Sequence, residues 1–204
     1  MSPLYLLTNE EPWPLLWPKL DCALSSGQVG LLQYRRKQTP HSQRLTELEP
    51  LQRLCEAYDV PLIINDEVDL AQVMGCGVHL GQGDGSVTAA RQRLGPAALV
   101  GRTCHGSLAL AQQAQAEGAD YVAFGAVYPS TSKPQAQTVP LSVLQEAVTQ
   151  LQVPVCAIGG ITVDNAAPLL ALPVSWLAVI GGVLDGSLAQ VAQRLQQWQR
   201  LFQK

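Results

Sequence analysis

Long apolar runs are missing from this 204-residue sequence. Nowhere do about 18 apolar residues follow one another, so no transmembrane helix is expected. Met1-Ser2-Pro3 lacks a basic region, and the apolar stretch 4–8 is too short for a secretory signal. No CxxC pair occurs. The five cysteines, Cys22, Cys55, Cys76, Cys104 and Cys156, are odd in number and widely spaced. They argue against a disulfide frame or a zinc knot and predict reduced thiols in a cytoplasmic protein. A basic excess is lacking too: 13 Lys and Arg against 16 Asp and Glu leave a net charge of −3, which speaks against a general nucleic-acid binder. Charged residues make up only 14% of the chain, against about 25% in an ordinary domain. Where charges do cluster, they need a reason.

What is present is a regular alternation. Short apolar runs predict strands at 4–8, 30–35, 61–65, 78–80, 98–103, 120–124, 153–158 and 175–180. Amphipathic segments predict helices at 42–58, 66–74, 87–94, 107–117, 141–151, 162–170 and 187–202. In the last of these, Leu188, Val191, Leu195, Trp198 and Leu201 fall three and four apart, on one face. Strict alternation implies parallel strands joined by crossover helices, and near-continuous apolar strands imply burial on both faces. Eight such units fit a single (β/α)8 barrel domain over residues 1–204, with brief loops. An open doubly wound sheet is the alternative, and eight units are many for it. Residues 10–19, with Pro12, Pro14 and Pro18, leave the first helix unassigned.

A parallel barrel carries its chemistry where its strands end. Strand two ends Gln33-Tyr34-Arg35-Arg36-Lys37. If Leu32 and Tyr34 pack against helices, alternation points Gln33 and Arg35 into the barrel, with Lys37 over its mouth. Arg36 reads as part of a solvated loop. Asp66, after strand three, and Asp84, after strand four, each have a structural explanation as a helix cap or a turn residue. Together, on adjacent strand ends, they suit one Mg²⁺ beside a diphosphate. His79 reads as a core histidine with a satisfied hydrogen bond. His105 shares an alternation phase with Thr103 and is a proton carrier or a structural residue. After strand six, Ser130, Thr131, Ser132 and Lys133 offer hydroxyls and an ammonium to an anion. Strands seven and eight end in Gly159-Gly160 and Gly181-Gly182, where backbone N–H groups can approach a phosphate. The tally is two anion sites, one for a diphosphate and one for a phosphate monoester.

These segments, with Leu4-Tyr5-Leu6-Leu7-Thr8, Ile64-Asn65-Asp66, Gly77-Val78-His79-Leu80-Gly81-Gln82, Thr103-Cys104-His105 and Ala157-Ile158-Gly159-Gly160-Ile161 in this order, resemble thiamine phosphate synthase over nearly the whole chain. The resemblance implies a TIM barrel that joins a hydroxymethylpyrimidine diphosphate to a hydroxyethylthiazole phosphate, with Mg²⁺ as cofactor. It implies that Gln33, Arg35, Lys37 and Asn65 contact the pyrimidine diphosphate and that Asp66 and Asp84 hold the Mg²⁺. Thr103 would lie near the pyrimidine, and Ser130, Ser132 and Lys133 in a loop covering the substrates. Gly160, Ile180 and Gly181 would receive the thiazole phosphate. The partners are then two small phosphorylated molecules, with neither nucleic acid nor membrane, and a homo-oligomer is compatible with the sequence.

The sequence departs from the family at Asn9, where aspartate is common, at Arg102, which replaces a smaller residue, and at Gly181, where serine is common. Two rivals stand beside this reading. A thiazole tautomerase shares the fold and the glycine pocket and would use His105 as proton carrier, but has no need of Lys37, Asp66, Asp84 and Lys133 together. A non-catalytic barrel that binds thiamine precursors would share the pockets without turnover.

Overall fold

In a computed structural model that describes residues 3–129 and 137–203, eight parallel strands close into a barrel. They are β1 (Leu4–Leu7), β2 (Val29–Tyr34), β3 (Leu62–Asn65), β4 (Gly77–Leu80), β5 (Val100–His105), β6 (Tyr121–Phe124), β7 (Val155–Ile158) and β8 (Trp176–Val179). Each pairs with the next, and β8 returns to β1 with Leu177 beside Leu4. The helices are α1 (Trp13–Ser25), α2 (His41–Ala57), α3 (Val68–Met74), α4 (Val87–Leu94), α5 (Leu108–Ala116), α6 (Leu141–Gln150), α7 (Ala167–Leu170), α8 (Gly181–Leu184) and α9 (Leu188–Phe202). No helix among the described residues is long and apolar enough to cross a membrane.

The period-two alternation of each strand divides its side chains between two cores. Leu4, Leu6, Leu32, Tyr34, Ile64, Val78 and Val122 face the helices. Tyr5, Leu7, Leu31, Ile63, Tyr121, Ala123, Cys156, Trp176 and Ala178 fill the barrel. Large rings fit there because their neighbours are small. A β-carbon on Gly101 would strike the Tyr121 ring. That ring meets Tyr5 and Trp176 edge-on, at centroid distances of 5.8 and 5.6 Å, the arrangement that ring quadrupoles favour.

The helix that sequence could not place is α1. Pro14 stands in its first turn, where a missing N–H costs nothing, but Pro18 lies inside it. Burial of Leu16, Leu20, Ala23 and Leu24 outweighs the interior proline. Lys19 is buried as well, with Nζ 2.6 Å from both Glu11 carboxylate oxygens and 3.2 Å from the Leu184 carbonyl. Helix α9 follows the predicted face, burying Val191, Leu195 and Trp198. Ser187 and Gln190 close its first turn reciprocally, an arrangement worth about 1 kcal/mol.

Several sequence expectations are corrected. Arg36 is buried, not solvated. Its guanidinium meets Glu47 at 2.8 Å, donates to the Asn9 and Glu11 carbonyls, and lies over the Trp13 ring. The helix expected over 66–74 starts at Val68, because Asp66 adopts φ 65° in a turn. The helix expected over 162–170 is reduced to α7, since the Asn165 side chain accepts from the Thr162 N–H and holds that stretch in a turn. A bulge between Thr103 and His105 breaks their shared alternation, and His105 adopts φ 50°.

Candidate active site

The strand ends surround a cavity of about 1200 Å³. Gln33, Arg35, Lys37, Asn65, Asp66, Asp84, Thr103, Gly160, Ile180 and Gly181 all line it. Ser130, Ser132 and Lys133 lie outside the described residues.

On the β2–β4 side, charge is concentrated. The Lys37 ammonium lies 2.9 Å from Asp66 Oδ2. The Asp66 N–H donates to the His79 carbonyl at 2.8 Å, so the end of β4 fixes the turn that carries this carboxylate. Asp84 accepts from the Gly81 N–H at 2.9 Å, and its carboxyl lies against that of Asp66. Burial opposes the charged form of Asp66, but Lys37 outweighs it, with help from Asp84 and Asn65, and holds the group below the usual carboxylate range. Burial and the Asp66 charge push Asp84 up, against the Gly81 N–H and Lys37. A like-charged pair of this kind is relieved by a cation, and two carboxylates plus phosphate oxygens and water are an ordinary Mg²⁺ shell. No group of three or more His, Cys, Asp or Glu that could hold a metal exists among the described residues, so a cation on the β2–β4 side would rest on this carboxylate pair.

Arg35 is the second cation. Its N–H is fixed on Thr8 Oγ1 at 2.7 Å, and no hydrogen bond or ion pair engages its guanidinium among the described residues. The buried Arg36–Glu47 pair below it ties the β2 end to α2. Arg102 holds the Asp84 loop by donating to the carbonyls of Gly81 and Gly85, at 2.9 and 2.7 Å.

The floor is polar, and it was largely hidden in the sequence. Gln33 Nε2 donates to the Tyr5 hydroxyl at 2.6 Å, which lies 2.7 Å from the Tyr121 hydroxyl. The Tyr121 hydroxyl is 3.0 Å from His79 Nδ1, and His79 Nε2 is 2.9 Å from Thr103 Oγ1. His79 is the hydrogen-bonded core histidine that its place within a strand suggested. Burial raises both phenols far above their ordinary range, so both stay neutral. His105 is exposed at the rim of the same cavity.

Across the mouth the chain turns on glycines. Gly159 and Gly160 have φ 107° and 63°, a region that favours glycine. A β-carbon on Gly160 would also come within 2.8 Å of the Tyr128 carbonyl. Asn165 Nδ2 donates to the Gly160 carbonyl at 2.8 Å, and Trp198 Nε1 to the Gly182 carbonyl at 3.2 Å. One neighbour is unexpected: a β-carbon on Gly181 would lie 2.8 Å from Asp185 Cγ, so a carboxylate edges the glycine pocket.

The sequence and the fold both have known counterparts. The family model described as thiamine monophosphate synthase matches residues 4–183. A thiamine phosphate pyrophosphorylase from Pyrococcus furiosus is 29% identical at a TM-score of 0.86, over 99% of this chain and 96% of that one. Two further structures share the fold. A thiamine phosphate pyrophosphorylase from Bacteroides thetaiotaomicron is 20% identical at a TM-score of 0.65, over 98% of both chains. A 3-hexulose-6-phosphate synthase is 15% identical at 0.67, over 98% and 99%. With a closed eight-stranded barrel, charge gathered at one side of its mouth and a family match over most of its length, the chain belongs to the thiamine monophosphate synthase family.

Proposed function

We propose that this protein condenses 4-amino-2-methyl-5-hydroxymethylpyrimidine diphosphate with 4-methyl-5-(2-hydroxyethyl)thiazole phosphate, giving thiamine phosphate and diphosphate. One observation carries the reading: the Lys37 ammonium meets Asp66, Asp84 faces that same carboxyl, and among the described residues nothing pairs with the Arg35 guanidinium beside them. A carboxylate pair that could hold a metal, flanked by cations, suits a departing diphosphate. A tautomerase has no use for it.

Asp66 and Asp84 would hold Mg²⁺, which supplies charge neutralisation of the leaving diphosphate. Arg35 and Lys37 bind its oxygens, and Lys133 is assigned the same anion. As the carbon–oxygen bond breaks, the amino group of the pyrimidine spreads the positive charge left on the methylene carbon. The thiazole nitrogen then attacks that carbon. Gln33, Asn65 and Thr103 orient the pyrimidine, and Ser130 and Ser132 are placed with the diphosphate. The backbone at Gly160, Ile180 and Gly181 receives the thiazole phosphate, with the Asp185 charge at its edge limiting how deep the phosphate sits. The protein supplies orientation and fixed charge and needs no nucleophile.

The test is a turnover assay. The two phosphorylated precursors, mixed with the protein and Mg²⁺, are expected to release diphosphate, and EDTA is expected to stop the release. Binding of both precursors without release would replace this reading with a non-catalytic binder.

A further inference from the structure

Five strands contribute to the polar floor: β2 gives Gln33, β1 Tyr5, β6 Tyr121, β4 His79 and β5 Thr103. Gln33, Tyr5 and Tyr121 are at most 2% exposed, so their hydrogen bonds must be met within the protein. Four contacts link five groups, and each contact holds one hydrogen.

The order of those hydrogens is forced from one end. The Gln33 nitrogen gives a hydrogen to Tyr5. The Tyr5 hydroxyl must then point at Tyr121, and the Tyr121 hydroxyl at His79 Nδ1. His79 carries its hydrogen on Nε2 and donates it to Thr103. The Thr103 hydroxyl hydrogen is left to turn into the cavity. With the Gln33 nitrogen as donor, every other arrangement leaves a buried O–H without an acceptor or sets two hydrogens between one pair of atoms; turning the amide over would reverse the whole chain and place the His79 hydrogen on Nδ1. Among the described residues, no hydrogen bond reaches the Gln33 side-chain oxygen Oε1.

We propose that Tyr5, Tyr121 and His79 are positioning residues that pass hydrogen-bond direction across the barrel, so that Gln33 presents an acceptor and Thr103 a donor to one flat ligand. The ligand class this selects is a heterocycle with an N–H donor over β2 and an unprotonated ring nitrogen over β5. The inference deepens the synthase reading and rests on it for the ligand's identity: the aminopyrimidine would set its amine on Gln33 and a ring nitrogen on Thr103. The neutral state of both phenols keeps the chain at one hydrogen per contact.

The direction can be read without any substrate. The sequence has three histidines, and His41 and His105 are exposed. Removing those two as His41→Asn and His105→Asn assigns the remaining imidazole ¹⁵N signals to His79. At neutral pH the ligand-free protein is expected to show the Nε2–H tautomer of His79. Tyr121→Phe cuts the chain while keeping the ring and should give a mixture of tautomers. The same variant should raise KM for the pyrimidine diphosphate about tenfold, with KM for the thiazole phosphate and affinity for inorganic diphosphate unchanged. An Nδ1–H tautomer or an even mixture in the parent protein overturns the inference, as does an unchanged KM in Tyr121→Phe. If the parent protein releases no diphosphate, the synthase reading fails while the tautomer still decides the relay. If Tyr121→Phe does not fold, the tautomer of the parent protein decides alone.

Discussion

Asp84 is held in place by a backbone N–H and disfavoured by the carboxylate it faces. Its replacement therefore separates chemistry from folding. Asp84→Asn keeps the shape and removes the like-charge contact with Asp66, so thermal stability should hold or rise slightly. Turnover should fall about a hundredfold, the size expected for loss of one charge-stabilising contact of about 3 kcal/mol. An equal loss of melting temperature would instead make Asp84 a turn residue. The charged residues of this mouth were legible because charge is scarce and each follows an apolar run. Tyr5 and Tyr121 were not, because a tyrosine with a buried, hydrogen-bonded hydroxyl occupies the same alternating position as one that only packs. Asp185 was invisible for another reason: it lies near Gly181 only because α8 folds the chain back within four residues.

Elements built from uninterrupted patterns were legible, and elements built against local preference were not. All eight strands lie within a few residues of the apolar runs that announce them, since each is bounded by glycine, proline or polar residues. Helix α1 carries prolines that oppose it locally, and only tertiary burial of its leucines explains it. Arg36 was misjudged because its partner, Glu47, lies eleven residues on, inside α2. That pair makes a prediction about how β2 and α2 hold each other. Its side chains are 7% and 9% exposed, so Arg36→Ala strands a buried carboxylate and should cost about 3 kcal/mol in urea denaturation. The double change Arg36→Met with Glu47→Leu should recover part of that loss, the rest being the Tyr34 hydroxyl and the Asn9 and Glu11 carbonyls left without partners. If it does not, the pair is specifying the position of β2 and not merely neutralising itself.

The whole molecule keeps its thiols protonated. Burial pushes Cys76 up to about 11, and Cys55 and Cys104 to about 12, from an ordinary 9.0. The folded state holds these protons more tightly than the unfolded chain. Their stabilising effect is complete below pH 9 and is lost as pH rises through about 11 to 12. Urea midpoints should thus stay flat toward pH 9 and then fall. A midpoint constant through pH 11 would mean that the thiols are open to water. The barrel closes late along the chain. Leu4, Tyr5 and Leu6 zip onto Leu177, Ala178 and Val179, and the Leu177 N–H reaches back to the Pro3 carbonyl. During synthesis the first strand must wait, its outer edge bare, until β8 has left the ribosome. For that interval the nascent chain is a curved ribbon with two raw borders, and whatever shields those borders in the cell governs how much of it reaches the finished ring.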